Sequence, residues 1–229
     1  MARWMMVTMA GLALGGCGDN LVAPAPPDAG IEQQYLPWKV GAVWSYKLTD
    51  PTGRFPPATG KLTRIIDERD VGGLHAGKRA FFTHSEQLVG SKDVYQAREG
   101  DLEIRYQSVF YDVAGTRIRT DVDMPFRLKL DETAAHTITG ARWTTSFTEI
   151  STEVGRAPVT TSKTEQWHVV NGSESITVTA GTFDDALHIQ RVKGSSGTVQ
   201  DYWYVRGVGK VKETGGEQTE ELLWFTLGD

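Results

Sequence analysis

One cysteine, Cys17, in 229 residues rules out an intrachain disulfide, so the fold must rest on buried apolar surface and backbone hydrogen bonds. There is no basic excess either. Twenty-four Lys and Arg against twenty-nine Asp and Glu give a net charge of -5, which removes any average attraction to nucleic-acid phosphate or to an anionic lipid surface. The apolar run from Trp4 to Leu14 falls well short of the about twenty residues that a bilayer-spanning helix needs. No long stretch carries a helical stripe; only Asp131 to His136 and Thr182 to Ala186 leave room for a turn or two of helix. Also missing are an HExxH pair, a Gly-x-Ser-x-Gly elbow and a Gly-rich loop between strand and helix. No catalytic residue, metal site or cofactor is therefore assigned, and the chain is read as a non-enzyme.

What is present begins with Met1-Ala2-Arg3 and the apolar stretch after it, the order of charge and hydrophobicity of an export leader. Leu14-Gly15-Gly16-Cys17 resembles the lipobox of bacterial lipoproteins: leucine three before the cysteine, small residues between. That resemblance implies cleavage between Gly16 and Cys17 and acylation of Cys17, with two or more chains anchoring where one alone holds only marginally. Gly18 rather than aspartate follows the cysteine, which by similarity to enterobacterial sorting implies an outer-membrane lipoprotein facing the periplasm. The expected organisation is a signal peptide over 1–16, a lipidated cysteine and Pro-rich tether over 17–34, and a single β-rich domain over 35–229.

From Tyr35 onward apolar and polar residues alternate at period two. Trp44, Tyr46 and Leu48 alternate with Ser45 and Lys47; Leu102, Ile104 and Tyr106 with Glu103, Arg105 and Gln107; Phe126, Leu128 and Leu130 with Arg127, Lys129 and Asp131. Each set predicts a strand with its apolar side inward and its charges in water. Gly72-Gly73, Val113-Ala114-Gly115, Asn171-Gly172, Gly194 to Gly197 and Gly215-Gly216 predict reversals. The fold class is mainly β, with little helix. Roughly ten to thirteen antiparallel strands form a curved sheet, as a half-barrel, a barrel or a sandwich.

Gly41-Ala42-x-Trp44 and Gly140-Ala141-x-Trp143 repeat one pattern, and Ala76-Gly77, His84 and Gly90-Ser91 align without a gap to Ala180-Gly181, His188 and Gly194-Ser195. Two readings stand: an internal duplication with halves at about 38–112 and 137–229, or matches arising from abundant glycine.

Thr179-Ala180-Gly181-Thr182-Phe183, Tyr202-Trp203-Tyr204 and Gly207-Val208-Gly209-Lys210-Val211-Lys212 resemble bacterial envelope proteins of the DUF3108-like or TapB-type group, itself similar to the LolA/LolB superfamily of lipid-holding β half-barrels. The resemblance implies a curved sheet that binds an apolar ligand or lipid, but carries no catalytic residues. The long helices that plug LolA-like carriers have no counterpart here. Trp44, Tyr46, Tyr202, Trp203 and Tyr204 are the candidate ligand-lining residues, with core packing the competing reading. His75, His84, His136, His168 and His188 have no ligand spacing, and Asp121 with Asp123 reads as solvated charge. The function expected is a lipid-anchored envelope lipoprotein, partnered with the membrane through its acyl chains, whose β domain binds an apolar ligand or lipid. The alternative is a non-enzymatic lipoprotein that docks an envelope protein.

Overall fold

A computed structural model describes residues 30–50, 53, 59–194, 196–216 and 218–228. The leader, its cleavage site at Gly16, Cys17 and most of the 17–34 segment lie outside the described residues. Twelve strands follow in order: β1 (Val43–Thr49), β2 (Thr59–Gly72), β3 (His75–Gln87), β4 (Gly90–Glu99), β5 (Leu102–Tyr111), β6 (Arg117–Asp131), β7 (Arg142–Glu153), β8 (Val159–Val178), β9 (Gly181–Lys193), β10 (Val199–Val205), β11 (Gly209–Gly215) and β12 (Thr219–Thr226). Each pairs antiparallel with the next and β1 closes on β12, so the sheet is a closed up-and-down barrel. Closure satisfies the backbone groups that the outer strands of an open sheet would leave unpaired.

Among the described residues, helix is confined to two single 3-10 turns, Ile31–Gln33 and Ala134–His136. Thr182 to Ala186, expected as a helical turn, belongs to β9, where Thr182 and Phe183 pair with Thr177 and Ile176. Asn171-Gly172 is likewise not a reversal. β8 runs through it with a register shift, and the 137–139 segment lies so close that a side-chain carbon on Gly172 would sit 2.7 Å from the Thr137 carbonyl oxygen. Glycine here makes room for a crossing chain rather than a turn.

Because strands alternate direction, connections fall at two ends. One end holds the β10–β11 turn, the start of β1 and the finish of β12; the other holds the β3–β4, β5–β6, β9–β10 and β11–β12 turns. The first end is closed by the segment ahead of β1. Tyr35 and Trp38 are buried there, and Leu36 packs against the two apolar clusters that they join. Glu132 accepts hydrogen bonds from the Tyr35 and Leu36 amides, while the Gly207 amide donates to the Gln34 carbonyl at 2.9 Å. This end is the floor of the barrel. Above it, Val169, Leu187, Ile189 and Leu222 have no exposed surface, each such burial stabilising by about 1.5–3 kcal/mol.

The starts of β1 and β7 share a backbone arrangement. Gly41 and Gly140 both have φ of 88°, a left-handed conformation that favours glycine. The Gly41 amide donates to the Ile65 carbonyl and the Ile65 amide to the Ala42 carbonyl, each at 2.9 Å; Gly140, Val169 and Ala141 repeat the pair at 2.8 and 2.9 Å. Ile65 and Val169 are related by the same sequence offset as His84 and His188, and six strands begin at each of the two glycines.

Candidate functional site

The barrel is not filled. A cavity of about 440 Å³ runs from the floor, where Leu36, Trp38, Trp44 and Gly209 meet, toward the opposite end, reached by Gln87, Lys92, Phe110, Lys193 and Gln218. Barrels of about eight strands are filled by their own side chains and wider ones leave a lumen, so this twelve-stranded barrel has room for a small molecule.

Four of its aromatic side chains stand on two strands. Trp44 and Tyr46 enter from β1, Tyr202 and Tyr204 from β10, and all four are buried. Trp44 Nε1 donates to the Val208 carbonyl at 2.6 Å and the Tyr46 hydroxyl to the Lys210 carbonyl at 3.0 Å, which fixes both rings. Gly209, at φ of 105°, leaves the space that the Trp44 indole occupies; a side-chain carbon there would stand 3.0 Å from Trp44 Nε1. The Tyr202 and Tyr204 rings stack with centroids 5.9 Å apart. Burial pushes the hydroxyls of Tyr46, Tyr202 and Tyr204 above the ordinary tyrosine range, so they remain neutral donors.

Trp203 does not line this cavity, contrary to expectation. Successive side chains on a strand point to opposite faces, and Trp203 alternates with two that point inward. It stacks on His188 at 4.2 Å and donates to Glu174 Oε1 at 3.2 Å.

The larger departure from the sequence reading is charge. Eight cationic side chains line the lumen: Lys61, Lys92, Arg105, Arg127, Lys129, Arg191, Lys193 and Lys210. Four carboxylates contact them. Asp123 grips Arg105 with two bonds of 2.6 and 3.1 Å; Glu165 binds Arg127 and lies 3.8 Å from Arg191; Glu220 takes Lys61 at 2.9 Å and Lys210 at 2.7 Å; Glu213 also binds Lys210. Burial would raise Glu220, but the Lys210 and Lys61 ammonium groups outweigh it and hold the carboxyl far below its usual range. Lys92, Lys129 and Lys193 have no carboxylate of the described residues within salt-bridge distance; Lys92 instead lies over the Phe110 ring at 4.9 Å. Burial, then neighbouring cations, holds Lys92 and Lys129 well below the ordinary lysine range. The same causes bring Arg127 down to about 10.

Asp123, expected in solvent, has no exposed surface and is the partner of Arg105; Asp121 is buried too and accepts from the Ser151 hydroxyl at 2.8 Å. The five histidines do not form one cluster. His84 lies 2.6 Å from Asp93, His136 2.6 Å from Asp131, and His188 sits 3.0 Å from both Glu174 and Asp201. His75 is buried against the Asp123 carbonyl at 2.9 Å, and His168 is lowered by burial and by Arg142. His84 and His188 stand on strands that are not neighbours, and no group of three or more His, Cys, Asp or Glu among the described residues is arranged to hold a metal.

No family model matches the chain, and no curated protein matches it. Among solved structures it is similar to a "putative lipoprotein" from Parabacteroides distasonis ATCC 8503, with 13% identity, 85% of this chain and 99% of that chain covered, and a TM-score of 0.40. A likeness at that level carries no argument about function, which rests on the lumen itself.

Proposed function

We propose that this chain is a lipid-tethered cell-envelope protein whose barrel binds a small ligand in its lumen. One observation carries the reading: a cavity of about 440 Å³, floored by fixed aromatic rings and ringed by polar side chains, within a closed barrel. Volumes of roughly 300–1,000 Å³, with apolar walls and a few placed polar groups, are typical of small-molecule sites. The tether is supported by Leu14-Gly15-Gly16-Cys17, and Gly18 after the cysteine favours the outer membrane. The protein has no catalytic role in this reading; it holds or delivers.

Two measurements test it. Cys17→Ser is expected to move the protein from the detergent phase to the aqueous phase on phase partitioning; unchanged partitioning removes the tether. Native mass spectrometry of the gently extracted full chain is expected to show a bound small molecule, and persistently empty protein defeats the binding role.

A second reading, docking of an envelope protein, is favoured by the exposure of Leu88, Val89, Val113 and Val154 in turns at the end away from the floor. Photo-crosslinking from Val113 in intact cells is expected to trap a protein partner if that surface is used for docking, and no adduct if it is not.

A further inference from the structure

The ligand class can be narrowed, resting on the reading of the lumen as a ligand site. Lumen cations outnumber the carboxylates that contact them by eight to four, and the surplus is not spread evenly. Lys61, Lys210, Arg105 and Arg127 are taken by Glu220, Glu213, Asp123 and Glu165. Lys92 and Lys193 are not, and each stands at the strand end remote from the floor, two residues into β4 and last in β9. Lys129 is also unpaired within the described residues, but it stands two residues from the floor end of β6. The Nε atoms of Arg127 and Arg191 are buried with no hydrogen-bond partner. An enclosed cationic group without a partner is costly, and so is an unused buried donor, unless something else supplies the charge and the acceptors.

We infer that the lumen takes an amphiphile with a multiply charged oxyanion head of the phosphate kind, its head at the rim between Lys92 and Lys193 and its apolar part on the floor of Leu36, Trp38 and Trp44. A single carboxylate would compensate one of the surplus charges; a phosphate monoester carries nearly two and presents three acceptor oxygens to diverging donors. The floor distinguishes an amphiphile from a bare anion, because Leu36, Trp38 and Trp44 offer it apolar surface. The depressed basicity of Lys92 and Lys193 agrees with a site that is relieved when an anion enters.

Octyl phosphate, octanol and inorganic phosphate are titrated by calorimetry into the mature full-length protein, held in a neutral maltoside detergent at low salt. Octyl phosphate is expected to bind, octanol at least about tenfold more weakly, since charge-assisted contacts are lost. Inorganic phosphate binding as tightly as octyl phosphate would assign the site to a free phosphate compound and overturn the amphiphile. Octanol binding as well as octyl phosphate would overturn the oxyanion and leave the lumen a binding site; no binding of any of the three, with no copurifying molecule, would remove both. Lys92→Met with Lys193→Met is expected to weaken octyl phosphate at least about tenfold while raising the melting temperature of the empty protein, an effect opposite to that of a merely structural lysine. Should the double variant fail to fold, Lys193→Met, at a strand end, is expected to weaken octyl phosphate on its own, and unchanged affinity there overturns the placement of the head.

Discussion

Glu103 has no exposed surface and lies against Arg98, with Glu132 beside it. Burial outweighs the guanidinium and raises its carboxyl to about 8. The folded chain therefore keeps a proton that the unfolded chain gives up at ordinary glutamate pH, so stability is greatest below that range, falls as pH rises toward 8, and levels off above it. Replacing Glu103 by Gln is expected to flatten the dependence of the urea midpoint between about pH 5 and pH 8; an unaltered slope would mean that another group is responsible. Glu220 works in the opposite sense. Its lowered carboxyl contributes stability that is present above the ordinary glutamate range and is lost as acid protonates it, separating Lys61 and Lys210 from their shared partner. Neither behaviour was legible in the sequence. Glu103 and Glu220 look like any outward-facing strand carboxylate, and what sets them apart is which residues the closed sheet places opposite them.

At the level of strands, the alternation of Trp44, Tyr46 and Leu48 told which side of β1 is covered, whereas Tyr202-Trp203-Tyr204 puts aromatics on both sides of β10 and left its lumen face open. The rule failed on β5 and β6, where the apolar residues were expected inward and the charges in water. Arg105, Arg127 and Lys129 line the lumen while Ile104, Tyr106 and Leu128 are buried as well. In a barrel with a wet, charged interior, both faces of a strand can be covered, so alternation gives the period without the sign. Polar runs at spacing two, such as Thr83, Ser85 and Gln87 on β3, were the available signal of a hydrophilic interior. The join between β10 and β11 depends on Gly209, held at a φ that side chains rarely adopt and in contact with Trp44. Gly209→Ala is expected to destabilise by about 1–3 kcal/mol in equilibrium denaturation, through backbone strain and displacement of the indole. A loss below measurement error would show that the turn relaxes freely.

For the molecule as a whole, the distribution of charge is inverted: a net charge of -5 encloses a lumen with a surplus of cations. The floor segment secures this arrangement, since Trp38 and Tyr35 join two apolar clusters. Trp38→Ala is expected to cost about 3–5 kcal/mol by urea denaturation, as for other large-to-small changes at buried aromatics. The doubled Gly-Ala-x-Trp pattern, faint in the sequence, falls on two strand starts with the same left-handed glycine and the same pair of amide bonds, six strands apart. The chain enters through the floor, whereas Lys92 and Lys193 stand at the far rim. In the proposed tethered protein the leash and the mouth of the lumen therefore lie at opposite ends of the barrel, and a ligand would enter from the side away from the first described residue.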